Sequence, residues 1–357
     1  MNTKPTVAAF FAGAGGLDLG FKESGFNVAW ANEYDKAIWD TYKINFRKTT
    51  LDKRSITDVS ADDVPSVTGF IGGPPCQSWS EAGSGRGIND KRGQLFYEYL
   101  RLIKAKKPHF FLAENVSGIL FDRHGTAFSD ILKRFTEIGY NVSYGLVNAN
   151  DYGVPQDRLR VIIVGYRVDT GLLFEMPDPT ESGRTLKLAL EGLSKKPVAL
   201  EHSDPTTYKP QINNHEYLVG GFSSMYMSRN RVRSWNEPSF TIQAGARHAP
   251  LHPSAPKMQK VEKDLFQFDK EKEHLYRRLS VRECARIQTF PDSHKFIYSR
   301  VADGYKMIGN AVPVELAKII GKKIIQDLKP VNLERTATRR QGEIVTFGEL
   351  RTDKVSA

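Results

Sequence analysis

The chain has 357 residues, 40% apolar and 26% charged, which excludes a disordered or fibrous protein and leaves room for a large core with a second lobe. Its two cysteines, Cys76 and Cys284, have no CxxC spacing and cannot build a disulfide framework; with no signal-peptide pattern and no apolar run near the ~18 residues of a membrane span, the chain reads as cytoplasmic. A formal net charge of +10 favours a polyanionic partner, because lysines and arginines that neutralise phosphates gain free energy by releasing counterions.

In chain order, short apolar runs alternate with helical patterns up to about residue 170: "TVAAFFAG" then "LDLGFKESG", "GFIGG", "LFYEYLRLIKAKK" then "PHFFLAENV", "AFSDILKRFTEIG" and "LRVIIVGYR". Runs that are apolar at every position, such as Val161 to Val164, fit strands covered on both faces. The expectation is an α/β fold, a doubly wound parallel sheet of Rossmann-like type. From about Leu172 to Asn236 prolines, glycines, lysines and asparagines break the periodicity, and then "SVRECARIQTF" and "AVPVELAKIIGKKIIQDL" restore it. We therefore expect a catalytic and cofactor-binding domain at 1–175, a smaller irregular lobe at 176–285, a return to the large domain at 286–330, and a charged tail at 331–357 without a clear apolar face or assignable role.

Ligands of open parallel sheets bind beyond the carboxyl ends of the strands. Three apolar runs here end in unusual residues: Gly13, Gly15 and Gly16; Pro74, Pro75 and Cys76; Glu114 and Asn115. The glycine turn lets a ligand approach the backbone, although such turns also serve as plain strand-to-helix punctuation. About twenty residues after the glycine turn, Glu33 directly follows the next apolar run, where an acidic side chain commonly grips a ribose, so an adenosine-containing cofactor is expected. Cys76, flanked by prolines and followed by a glycine-rich stretch, reads as an exposed, positioned thiol rather than a small buried hydrophobe. Glu114 could cap a turn; its place at the end of an apolar strand instead suggests a partly desolvated carboxyl able to carry a proton. Arg158 and Arg160, two apart before and within "LRVIIVG", would share a face if extended and could favour a thiolate or bind a substrate carbonyl.

Seven motifs now stand in order: "FAGAGGLDLGF", "NEYD", "GGPPCQSWS", "AENV", "QDRLR", "NEPSFTIQA" and "GYKMIGNAVPV". Over residues 6 to 328 the chain resembles the DNA (cytosine-5)-methyltransferases, and among them the bacterial GGCC-specific modification enzymes. The resemblance implies S-adenosyl-L-methionine as cofactor, double-stranded DNA as partner, no metal, and a monomer acting in a restriction-modification system. It implies Cys76 as nucleophile, Glu114 as proton donor to ring nitrogen 3, Arg160 on the exocyclic carbonyl, Arg158 in support, and Asn115 positioning the cysteine loop. For the cofactor it implies Phe11 and Tyr34 around the adenine, Glu33 on the ribose, and Gly13, Gly15, Gly16, Leu17, Ile56, Pro74, Asn310 and Val312 lining the site. The acidic residue the family usually places before Ile56 is Ser55 here, with Asp58 nearby.

A stacked cytosine hides carbon 6, so the target must be flipped out and covered. The glycine-rich segment from Ser80 to Gln94 suits a lid, with Arg86, Lys91 and Arg92 as phosphate contacts, and the resemblance adds Gln77 and Ser80 to the DNA-contacting set. In "MSRNRVRSWNEPSFTIQAGARH" Arg229, Arg231 and Arg247 are expected to read guanines, whose two major-groove acceptors match the arginine fork. Arg233 belongs to the same basic run, Pro250 between His248 and His252 argues against a zinc-binding helix, and Cys284 reads as core. The competing readings are an RNA cytosine-5 methyltransferase using the same pocket, a nicotinamide-dependent oxidoreductase, and a catalytically silent DNA-binding protein.

Overall fold

A computed structural model of the chain describes residues 4–75, 94–180, 184–193, 196–200, 212–331 and 342–348, with the side chains of residues 122 and 123 left aside. The large domain begins β1 (Thr6–Phe10), α1 (Gly16–Ser24), β2 (Asn27–Asn32), α2 (Trp39–Asn45), β3 (Thr50–Asp52) and β4 (Gly69–Gly72). It continues with α3 (Gln94–Lys106), β5 (Phe110–Val116), α4 (Asp122–Glu137), β6 (Tyr140–Asn148) and β7 (Leu159–Arg167). Side chains alternate along these strands, and both sets are buried: Val7, Ala9, Phe110, Leu112, Ile162 and Val164 pack in one layer with α1, whereas Ala8, Phe10, Phe111, Ala113, Val161 and Ile163 pack in the other with α3 and α4. Two covered faces explain the unbroken apolar runs.

The smaller lobe holds α5 (Leu186–Leu190), the parallel pair β8 (Val198–Leu200) and β9 (Glu216–Leu218), and the antiparallel pair β10 (Gln259–Glu262) and β11 (Leu265–Gln267). Its own small core includes Tyr226, Val232, Leu251, Met258 and Tyr276. Then α6 (Val281–Ile287), α7 (Val301–Asn310) and α8 (Val314–Leu328) lead back to the sheet. Helix α6 starts in a capping box, with the Ser280 hydroxyl accepting from Glu283 N and the Glu283 carboxylate accepting from Ser280 N. Cys284 is buried between α5, α6 and α7. Helix α8 completes the layer begun by α1, and the two approach so closely at Gly20 that a Cβ there would stand 2.4 Å from that of Ala317.

The sheet order is β12-β6-β7-β5-β4-β1-β2-β3. From β1 the chain winds first to β2 and β3 and later, on the other side, to β4 and β5, which puts a topological switch point between β1 and β4. The expectation of a wholly parallel sheet needs correction. Strand β7 runs antiparallel between β5 and β6, because the link from β6, residues 149–158, is shorter than the dozen or so residues a parallel crossover needs. No helix among the described residues is long and apolar enough to cross a membrane.

The tail also departs from its sequence reading. Residues Ile344–Thr346 form β12, parallel to β6 at the sheet edge, and extend the ladder with bonds from Val142 N to Glu343 O (2.7 Å) and from Phe347 N to Tyr144 O (2.9 Å). Phe347 stacks edge-on against Phe174, 5.7 Å between ring centres, and fits against Gly145, where a Cβ would be 2.2 Å from its carbonyl oxygen. The tail thus covers a sheet edge that would otherwise expose unpaired backbone groups. Phe347→Ala should lower the unfolding free energy by about 1–2 kcal/mol through lost apolar burial, and truncation after Val331 by at least as much. Urea midpoints read this directly; a truncated chain with an unchanged midpoint would show the strand to be ornamental.

Candidate active site

At the switch point a cavity of about 390 Å³ opens beyond the carboxyl ends of β1, β2, β4 and β5. One half comes from β1 and β2. Beyond β1, Phe11 adopts a left-handed backbone with φ of +53°, a conformation that costs a non-glycine residue roughly 1–2 kcal/mol and that the surrounding fold must impose. The Glu33 carboxylate, just past β2, ties the glycine turn to its own strand end by accepting Gly13 N at 2.8 Å and Asp35 N at 2.7 Å. Burial raises the pKa of Glu33, and those two N–H donors oppose the rise. Tyr34 is 72% exposed yet lines the cavity, an unusual placement for a ring unless something stacks on it. Phe11, Gly13, Gly16, Leu17, Glu33, Tyr34, Ile56, Pro74, Asn310 and Val312, all singled out from sequence, lie together on the cavity wall.

Gly15 is placed otherwise. It caps α1 with φ of +83°, and a Cβ there would fall 2.2 Å from the Phe46 ring. Its place is under the turn, where His294 packs between Phe290 and Phe46, and where the His294 Nε2–H donates to Ala14 O at 3.0 Å. Burial pulls the pKa of His294 down to about 4, which keeps its ring neutral. Ser55 lines the cavity at the position expected to be acidic, and its hydroxyl caps the turn at Thr57; Asp58 accepts from the Thr57 hydroxyl.

The other half is chemical. Strand β5 carries Glu114 and Asn115 to its last turnings, and β7, running alongside, places Arg160 opposite Val116. Arg160 Nε donates to Glu114 Oε1 at 2.8 Å, with both side chains nearly buried. The Asn115 side-chain amide donates to Pro74 O at 3.2 Å, so it holds the backbone just ahead of residue 76. Cys76, Gln77, Ser80, Arg86 and Arg92, with the expected lid, lie outside the described residues.

Arg158 and Arg160 both line the cavity but are held by different partners. Arg158 precedes β7, is 1% exposed, and spends its donors on Ile242 O (3.0 Å), Gly309 O (2.9 Å) and Ala311 O (3.0 Å). It therefore buttresses the cavity rather than offering a free fork to a substrate. Gln156 works beside it, accepting from Ile242 N at 2.7 Å and donating to Gln288 Oε1 at 3.0 Å.

In the smaller lobe Arg229 and Arg247 are exposed. Arg231, expected to read a base, is instead turned inward: Nε donates to Tyr226 O at 2.8 Å and a terminal nitrogen to Met225 O at 2.9 Å, with the guanidinium 4.7 Å from the Tyr226 ring centre. Burial also lowers its pKa. Arg233 is likewise engaged, with Asp157 (3.0 Å) and Glu237 (3.3 Å).

Three charged cavity residues were not singled out from the sequence: Asp18, and the pair Asp35 and Lys306, bridged at 2.6 Å. An acid in the first turn of a glycine-capped helix was the available signal for Asp18; nothing local marks a lysine in α7 as a neighbour of Asp35.

Comparison with known proteins accounts for this arrangement. The profile of C-5 cytosine-specific DNA methylases matches residues 6–326. The chain is 55% identical to the type II methyltransferase M.MthTI of Methanothermobacter thermautotrophicus over 91% of its length and 98% of that protein's. It is 53% identical to the type II methyltransferase M.FnuDI of Fusobacterium nucleatum, over 90% and 94%. In fold it is similar to the crystal structure of a Spodoptera frugiperda DNMT2 mutant, with a TM-score of 0.64 at 17% identity over 91% of this chain and 99% of that one. With its strand-end carboxylate, its arginine partner and its glycine-turn cavity in place, the chain belongs to the C-5 cytosine-specific DNA methylase family.

Proposed function

We propose that this methyltransferase uses S-adenosyl-L-methionine to methylate carbon 5 of cytosine within GGCC in double-stranded DNA, and that it protects that DNA within a type II restriction-modification system. The observation that carries the reading is the buried Glu114–Arg160 pair, 2.8 Å apart, in the same cavity as Glu33 and Tyr34 and one hydrogen bond from the backbone that leads to Cys76. The donor set suits the cofactor: Tyr34 and Phe11 offer stacking faces to an adenine, the Glu33 carboxylate keeps lone pairs for ribose hydroxyls, and the open N-terminus of α1 suits a carboxylate. When bound, the cofactor supplies an electrophilic methyl group on a sulfonium sulfur.

The protein's own part begins with extrusion of the cytosine, since carbon 6 cannot be reached inside a stacked duplex. The Cys76 thiolate adds to carbon 6 while Glu114 delivers a proton to ring nitrogen 3, so the developing negative charge is quenched and carbon 5 becomes nucleophilic. Arg160 binds the exocyclic oxygen and orients Glu114; Asn115 holds the Cys76 segment; Arg158 keeps the cavity walls together. Once carbon 5 has been methylated it loses its proton, the bond to Cys76 breaks, and 5-methylcytosine is released. Gln77, Ser80, Arg86 and Arg92 would close on the flipped base and its phosphates, and Arg229 and Arg247 would read guanines from the smaller lobe, residues 176–285. The enzyme would act as a monomer.

Transfer of labelled methyl to short duplexes tests this. Label should enter GGCC and not GCGC, CCGG or the matching RNA duplex; Cys76→Ala should abolish transfer while cofactor binding persists, and a 5-fluorocytosine duplex with the methyl donor should trap an adduct on residue 76. Label in GCGC alone would overturn the site and spare the chemistry, whereas the absence of any adduct would overturn the chemistry.

The arginines of the lobe should separate in behaviour. Arg229→Ala and Arg247→Ala should each weaken methylation of GGCC by about 5–150-fold, the equivalent of roughly 1–3 kcal/mol, with little change in melting temperature. Arg231→Ala should instead lower the melting temperature, since its loss strands the buried Tyr226 carbonyl. Equal effects of all three on specificity, with none on stability, would contradict the inward placement of Arg231.

A further inference from the structure

Asp18 is fully buried in the first turn of α1 and lines the cavity. Its Oδ1 accepts the Tyr42 hydroxyl at 2.6 Å, but Oδ2, also buried, has no hydrogen-bond partner among the described residues. A carboxyl left half-satisfied in the interior is costly, and such groups persist where a ligand completes them. The groups around it supply no cation to do so. From α2 comes Tyr42; from beyond β2 comes Glu33, a second acid whose oxygens are already engaged by Gly13 N and Asp35 N. Lys306 of α7 is bridged to Asp35, Lys318 of α8 to Glu23, and His294 is a neutral donor to Ala14 O. The first turn of α1 has no side-chain cap, so its free N–H groups lie next to this acid on one helix end. Amide N–H groups beside a carboxylate match a zwitterion, one pole for each charge of an α-amino acid.

We propose that binding of the amino-acid end of the cofactor drives a proton from Asp18 into solvent, leaving Asp18 as the counter-charge of the α-ammonium group. The inference rests on the S-adenosylmethionine reading and adds to it a proton linkage. In the free protein burial pushes the Asp18 carboxyl up to about 7, with the Tyr42 bond opposing and the charge of Glu33 adding to the rise. A cationic ligand favours the ionised form, so affinity should climb up to about tenfold per pH unit as pH rises toward 7 and level off above it.

Titration calorimetry of the full chain between pH 6 and 8.5, in buffers of different ionisation enthalpy, counts the protons released. S-adenosylhomocysteine, which keeps the amino-acid end, should release close to one proton near pH 6 and bind about fivefold tighter at pH 7 than at pH 6. 5′-Methylthioadenosine, which lacks that end, should release none. Asp18→Asn retains an acceptor for Tyr42 and should bind S-adenosylhomocysteine with no proton release and a flat pH profile. Tyr42→Phe, which removes a bond that favours the carboxylate, should move the release to higher pH. Undiminished release in Asp18→Asn, or equal release with 5′-methylthioadenosine, overturns the proposal while leaving the cofactor assignment intact; failure of every adenosyl ligand to bind overturns both.

Discussion

The architecture of the site depends on one buried guanidinium. Arg158 stands where the chain enters β7, and its three bonds reach Ile242 within the smaller lobe and Gly309 and Ala311 at the end of α7. These stretches are distant in sequence, and each presents a carbonyl that its own secondary structure leaves unpaired. A single planar donor group satisfies all three, which a lysine with its point charge could not do in one geometry. Burial lowers the pKa of Arg158, with Arg160 adding to the effect and Glu114 opposing it, so the same carboxylate that holds Arg160 also compensates the charge that holds the walls. Arg158 and Arg160 are therefore electrostatically one system.

Around that anchor the cofactor half is assembled from the far end of the chain. The glycine turn is supported from below by residues that follow α6: His294 packs between Phe290 and Phe46 and bonds the turn at Ala14. Arg282 in turn donates to His294 O at 2.9 Å and to Asn214 Oδ1 at 3.1 Å, which links the loop to the start of β9 in the smaller lobe. The second lobe is inserted between the large domain and the very residues that shape its cofactor turn. Neither half of the cavity could form without the return of the chain.

How much of this was legible in the sequence follows from how local each signal is. Strand ends were readable because full burial writes apolar runs, and what interrupts such a run, whether Glu33, Glu114 or the glycines, has to be explained by chemistry. Arg158 and Arg160 both line the cavity, but their different partners were not legible, because Arg158 stands just outside β7 and bonds to stretches distant in sequence. Arg231 sits in a run of arginines that looks uniformly solvated; only the tertiary core of the lobe, with Tyr226 beneath it, decides which one turns inward. Strand β12 is three exposed residues long, too short for any periodicity, and exists because β6 offers it an edge.

Charge is sorted across the molecule in a way the net +10 conceals. The cavity gathers four acids, Asp18, Glu33, Asp35 and Glu114, against three bases, Arg158, Arg160 and Lys306, whereas Arg229 and Arg247 are exposed on the lobe. A polyanionic duplex and a small cationic methyl donor make opposite demands on one surface, and a uniformly basic protein would repel the second while holding the first. Segregation resolves the conflict: long-range attraction draws in the duplex, and buried carboxyls, shielded by low-dielectric walls, act only on what enters the cavity. Arg160 is the point where the two regimes meet, since its pairing with Glu114 places a positive group on the cavity wall without adding net charge to the site.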